Sequence, residues 1–275
     1  MDCLDKNSNA VDLVIFMGQS NMAGRGNAAQ APSVPSGHGY EFRAISDPTK
    51  LYDIIEPFGV DENIEGGIRE TVMKTGSCVA SFVNAYYSAA KIPIVGVSAS
   101  KGGSTVIEWQ PGGALLTDAI SRYSAAKTWL AGNGHTIRHR FMVWLQGETD
   151  GDNGMSKSDY ITYIKKIIEE MVRQGIGKCF VIRVGNRRDK PAQYDEIMAA
   201  QTELCKTYDK AVLISARLAG YASSGLMKDE FHYLQAAYNE FGTEAGLNAA
   251  YYVNTGKEPQ MYDAKYDNLY YSHKL

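Results

Sequence analysis

Five short apolar runs rich in valine and isoleucine punctuate the chain, at residues 11–17, 92–98, 140–145, 179–184 and 211–215. Each is apolar at nearly every position rather than at every second one, which is the pattern of strands covered on both faces. Between the runs the spacing becomes helical. Tyr160, Ile164, Ile167, Ile168 and Met171 fall on one face at intervals of three and four, and Gly175 stands where such a helix would stop. Residues 77–90, 117–130, 192–207 and roughly 232–253 read the same way with weaker periodicity. Strand alternating with helix predicts an α/β fold, a three-layer α/β/α sandwich around a mainly parallel, five-stranded sheet.

Residues 28–74 break this rhythm. The segment is rich in glycine, proline and aspartate, shows no sustained period, and reads as a loop-rich insertion over the strand ends, where loops carry specificity. No linker or change of composition divides the 275 residues, so a single domain over 1–275 is expected, with a tyrosine-rich tail over 254–275 packed against it.

Composition narrows the partners more than the fold. Apolar residues at 44% and charged residues at 21% describe a globular chain with a core. Lys plus Arg number 28 against 31 Asp plus Glu, and a net charge of -3 gathers neither phosphate backbones nor acidic lipid. Neither nucleic acid nor a membrane is an expected partner, and the apolar runs are far too short to span a bilayer. The first ten residues lack the basic-then-apolar order of a signal peptide, which leaves cytoplasmic and secreted locations both open, as it does the oligomeric state. Cys3, Cys78, Cys179 and Cys205 have no Cys-x-x-Cys or zinc-ligand spacing and read as buried thiols. His135 and His139 lie between a Gly132-Asn133-Gly134 turn and a strand, and His38 and His273 read as solvated, so no metal is expected.

Ligands of an open α/β sheet bind beyond the carboxyl ends of its strands, and three strand ends here hold unusual residues. The first strand runs into Gly18-Gln19-Ser20-Asn21-Met22-Ala23-Gly24, where a serine at a strand-to-helix turn suits a nucleophile and equally suits a helix N-cap. The second ends in Ser98-Ala99-Ser100-Lys101-Gly102-Gly103-Ser104-Thr105, whose paired glycines aim N–H groups at a negative oxygen or form a plain turn. The third ends in Trp144-Leu145-Gln146-Gly147-Glu148-Thr149-Asp150. There the Gln146 amide is a further candidate donor, and Glu148 and Asp150 read as supporting carboxylates rather than a glycosidase pair. Asp229-Glu230-Phe231-His232 offers a carboxylate three residues before an imidazole, or a surface helix start capped by Asp229. The Gly-x-Ser-x-Gly elbow of the α/β-hydrolases is missing.

In order, Gly18-Gln19-Ser20-Asn21-Met22-Ala23-Gly24, Gly102-Gly103-Ser104-Thr105, Gln146-Gly147-Glu148-Thr149-Asp150 and Asp229-Glu230-Phe231-His232 resemble the SGNH hydrolase superfamily, over residues 11 to about 245. The nearest branch is the sialate O-acetylesterase and acetylxylan esterase type of carbohydrate esterase. Many members carry Gly-x-Asn-Asp at the third block, whereas this chain has Gln146-Gly147-Glu148, which is normal in the carbohydrate-esterase branch.

The resemblance implies a flavodoxin-like sheet and a serine esterase that removes O-acetyl groups from an acetylated carbohydrate through an acyl-enzyme, with no cofactor. It implies Ser20 as nucleophile, His232 as base and Asp229 as the residue orienting it. The oxyanion hole would combine the Ser20 N–H, an N–H of Gly102 or Gly103, and the Gln146 side chain. Gln19, Arg25, Trp109 and Glu148 are candidate substrate-binding residues, since guanidinium forks and aromatic faces suit sugars, although Trp109 reads equally well as a core aromatic. A lipid, aryl or thioester substrate would call for a long apolar groove, whereas residues 28–74 look polar. A silent binding module fits poorly with serine, aspartate and histidine all present.

Overall fold

The computed structural model describes residues 9–70 and 72–270, so Cys3, Tyr271 and His273 lie outside the described residues. Strand β1 (Ala10–Gly18) sits at the centre of the sheet. It pairs in parallel with β4 (Ile94–Ser100) on one side and β5 (Thr136–Leu145) on the other. Beyond β5 the parallel ladder continues through β6 (Lys178–Ile182) to β7 (Ala211–Ser215). These are the five apolar runs. Leu13, Val14, Ile15, Phe16 and Met17 are all buried, facing either side of the sheet, which is why the sequence there does not alternate.

The chain leaves β1 for β4 in one direction and passes from β4 to β5 in the other. Right-handed crossovers therefore place helices on opposite faces. Helix α2 (Val79–Ala90) packs with α7 (Gln235–Thr255) on one face, while α3 (Ala114–Gly132), α5 (Lys157–Arg173) and α6 (Asp195–Thr207) cover the other. Helix α5 buries Tyr160, Ile164, Ile167, Ile168 and Met171 and is capped by Ser156, whose hydroxyl accepts the Asp159 N–H at 3.1 Å. Helix α7 approaches α2 closely because a Cβ at Gly246 would lie 2.3 Å from the Phe82 carbonyl oxygen.

The sheet has seven strands, not five. The additional two, β2 (Gly39–Arg43) and β3 (Asp47–Asp53), come from the segment read as loop-rich. Strand β2 pairs in parallel with β4, and β3 closes the edge in antiparallel. The pattern is faint because β3, Asp-Pro-Thr-Lys-Leu-Tyr-Asp, is polar and largely exposed, with a proline that only an edge strand tolerates. Side-chain bonds to the backbone order the rest of the insertion. Glu62 accepts the N–H groups of Ile45 (2.9 Å) and Ser46 (3.1 Å), and buried Arg122 of α3 donates to the carbonyls of Glu62 (2.7 Å), Ser98 (3.0 Å) and Ile68 (3.3 Å). Buried Lys74 donates to Ser98 Oγ at 2.8 Å.

The tail forms a hairpin of β8 (Met261–Asp263) and β9 (Asn268–Tyr270), fastened by an ion pair between Asp263 and buried Arg183 just after β6. Cys78, Cys179 and Cys205 are buried. His38, read as solvated, instead stacks on Tyr87 with ring centroids 4.0 Å apart. Among the described residues no helix is long and apolar enough to cross a membrane.

Candidate active site

The carboxyl ends of β1, β4 and β5 meet where the strand order reverses, the crevice in which doubly wound folds place ligands. Gly18 makes the exit from β1 possible. Its φ is +143°, and a Cβ there would sit 2.0 Å from the Leu145 carbonyl oxygen. The chain then enters the one-turn helix α1 (Ser20–Ala23) with Ser20 as its first residue. Gln19 holds the N-cap position without a side-chain cap, so Ser20 is no N-cap; its Oγ lies 2.9 Å from His232 Nε2.

His232 arrives in a turn before α7 rather than on a helix. Asp229 Oδ1 accepts the N–H groups of Phe231 (3.0 Å) and His232 (2.7 Å), which folds the carboxylate back over its own segment. Its Oδ2 then lies 2.8 Å from His232 Nδ1. Burial pushes the His232 pKa below 6.5, assisted by the charges of Arg25 and Lys228 and opposed by Asp229, so the ring is neutral at pH 7. Burial acts to raise the Asp229 carboxyl, but the bonds from Phe231 and His232 prevail and hold it below its usual range.

A cleft of about 280 Å³ opens over Ser20 and His232. Of the residues expected there, Gln19, Arg25, Gly102, Gly103 and Glu148 line it. Gln19 Oε1 accepts the Gly147 N–H at 3.1 Å, stitching the end of β1 to the end of β5. The Glu148 carboxyl at the start of α4 (Glu148–Asp152) accepts from Asn21 Nδ2 at 2.6 Å, and its other oxygen is buried without a partner. Among the described residues, the N–H groups of Ser20 and Gly103 have no acceptor, whereas the Gly102 N–H donates to the Glu70 carboxylate.

Two expectations are corrected. Gln146 does not reach the cleft: it is fully buried, and its Nε2 donates to the Ser104 carbonyl (2.9 Å) and to Asp150. Asp150, which also accepts the Val106 N–H at 3.0 Å, ties the loops after β4 and β5 together and takes up the amide that would have faced an oxyanion. Trp109 is likewise fully buried. Its Nε1 donates to Ser104 Oγ at 2.9 Å and its ring meets Trp144 edge-on at 5.7 Å, so it packs in the core and does not line the cleft.

The cleft also holds Val72, Thr149, Asp152 and Phe231, which sequence reasoning did not assign. Glu70 stands behind Arg25, with which it forms a buried ion pair. Nothing in the sequence marks a lone acidic residue in an aperiodic segment. Asn21 was in view beside the serine, but its work is visible only in three dimensions. Its Nδ2 donates to Glu148 and to the Phe231 carbonyl at 3.0 Å, and its Oδ1 accepts from Tyr238 Oη at 2.7 Å. The helix bearing Ser20 is thereby fixed to the turn bearing His232.

A family model described as carbohydrate esterase, sialic acid-specific acetylesterase, matches residues 10–250. No curated protein matches the chain significantly. Among solved structures, a protein from Arabidopsis thaliana superposes with a TM-score of 0.66 at 19% identity, covering 90% of this chain and 99% of that one. A carbohydrate acetylesterase from Xanthomonas citri superposes with a TM-score of 0.55 at 13% identity, over 92% of this chain and 60% of that one. At such identities the likeness to solved structures establishes the shared fold.

Proposed function

Since this chain belongs to the carbohydrate esterase family of sialic acid-specific acetylesterases and is therefore a carboxylic ester hydrolase, we propose that it removes O-acetyl groups from an acetylated carbohydrate through an acetyl-enzyme on Ser20. The observation that carries this reading is the hydrogen-bonded path from Ser20 Oγ through His232 to Asp229, at 2.9 and 2.8 Å, beneath the cleft.

In the proposed reaction His232 Nε2 takes the Ser20 hydroxyl proton as Oγ attacks the acetyl carbonyl carbon. Asp229 holds Nδ1–H, which keeps Nε2 free as the acceptor and stabilises the ring once protonated. The tetrahedral oxyanion is received by the N–H groups of Ser20 and Gly103; that of Gly102 is already given to Glu70. The C–O bond to the sugar breaks, and the departing oxygen takes the proton from Nε2. Water then attacks the acetyl-serine with His232 again accepting a proton, and acetate leaves as Ser20 recovers its own.

The small size of the cleft, about 280 Å³, supports an acetyl group over a long acyl chain. The test is acetate release across a panel of acetylated glycans, with nitrophenyl esters of increasing chain length beside them and Ser20→Ala as control. Release that needs Ser20 and falls with acyl length is expected. Release unaffected by Ser20→Ala would remove the acetyl-enzyme, and a preference for long acyl chains would remove the carbohydrate substrate.

A further inference from the structure

Resting on that esterase reading, we propose that the cleft is built for an uncharged acetylated sugar and discriminates against sugars bearing a carboxylate, with Glu70 as the residue that sets the preference. A carboxylated sugar needs a cation or spare N–H groups to replace the water it leaves behind. Among the described residues lining the cleft, Arg25 is the sole side chain with a permanent positive charge. That charge is already matched: Arg25 Nη2 donates to Glu70 Oε2, with the two side chains 8% and 2% exposed, and Nη1 donates to the Gly24 carbonyl at 3.2 Å. The second oxygen of Glu70 accepts the Gly102 N–H. A carboxylate of the chain itself thus holds both groups that an incoming carboxylate would seek.

Among the described residues, no further Lys or Arg lines the cleft. Asp152 lines the cleft and is bound to Arg187 at 2.8 Å, and Arg187 is matched again by Asp189 at 2.7 Å, which leaves no surplus cation on that wall. Two lysines stand nearby without lining the cleft, and each directs its ammonium to a backbone carbonyl, Lys101 to Gly102 at 3.4 Å and Lys228 to Arg25 at 2.9 Å. An acidic sugar would have to displace Glu70 and strand a buried carboxylate, or bind with no unmatched cation on the cleft wall itself. A neutral sugar meets neither obstacle.

The experiment measures kcat/KM for an O-acetylated sialic acid and for an acetylated xylo-oligosaccharide, each divided by the value for nitrophenyl acetate in the same protein. The wild type is expected to favour the neutral sugar by about tenfold or more, and Glu70→Gln, which leaves Arg25 unmatched, to shift the ratio toward the acidic sugar by about tenfold. Equal or better turnover of the acidic sugar by the wild type overturns the proposal, and this arm needs no variant to fold. A ratio unmoved in a Glu70→Gln protein that still turns over nitrophenyl acetate overturns the role of Glu70. Absence of nitrophenyl acetate turnover in the wild type overturns the esterase reading itself, and this proposal with it.

Discussion

Replacing Glu148 with glutamine exchanges a titrating carboxyl for a neutral amide of nearly the same shape. Burial pushes this carboxyl up to about 7, with the bond from Asn21 opposing only in part, against 4.5 for an ordinary glutamate. Between those values the folded protein holds a proton that the unfolded chain has released, so the wild type loses stability as pH rises from about 4.5 to about 7. An interval of about 2.5 pH units corresponds to about 3 kcal/mol above pH 7. Glutamine escapes that loss, but it places an amide N–H₂ where Glu148 Oε2 now has no partner, which costs about 1 kcal/mol at any pH. Glu148→Gln is therefore expected to be about 2 kcal/mol more stable than the wild type at pH 8 and about 1 kcal/mol less stable at pH 4.5. In thermal unfolding followed by calorimetry this corresponds to a Tm about 4 °C higher at pH 8 and about 2 °C lower at pH 4.5. A Tm difference that keeps one value across this range would show that Glu148 does not titrate within it, and the argument from burial would fail.

Asp229→Asn is expected to lower kcat by about 10⁴ by releasing the wrong tautomer of His232. Because Asp229 also opposes the downward shift of the His232 pKa, its loss should move the acidic limb of kcat/KM to still lower pH; a limb that stays in place would exclude His232 as the titrating base. Gln146→Ala is expected to cost about 2–4 kcal/mol, because the Ser104 carbonyl, Asp150 and Tyr160 all lose a buried partner. A Tm unchanged alongside a turnover reduced about 100-fold would return Gln146 to the oxyanion hole.

The apolar runs were legible because each is covered on two faces and carries little but valine, isoleucine and other apolar residues. The α5 stripe was legible because one amphipathic face exhausts its information. Strand β3 was not, since an exposed edge selects against apolar side chains and the sheet is recognised there by backbone pairing alone. At the site, Ser20, His232 and Asp229 announced themselves by residue type within recognisable blocks. Gln146 stood in such a block as well, yet its position in the sequence says nothing about where its amide turns. That depends on Asp150, four residues away, and on the loop after β4. Glu70 was invisible because its importance lies in Arg25 and Gly102, neither near it in sequence.

The segment framing the cleft is also the segment that finishes the sheet, since β2 and β3 lie within it and β2 is the partner of β4. Grafting a foreign loop across residues 28–74 to redirect specificity would strip the flank of β4 and leave a parallel strand's amides open to other chains. Aggregation, rather than altered selectivity, is the outcome such engineering has to guard against. Changes confined to residues 63–70, outboard of both strands, would spare that margin.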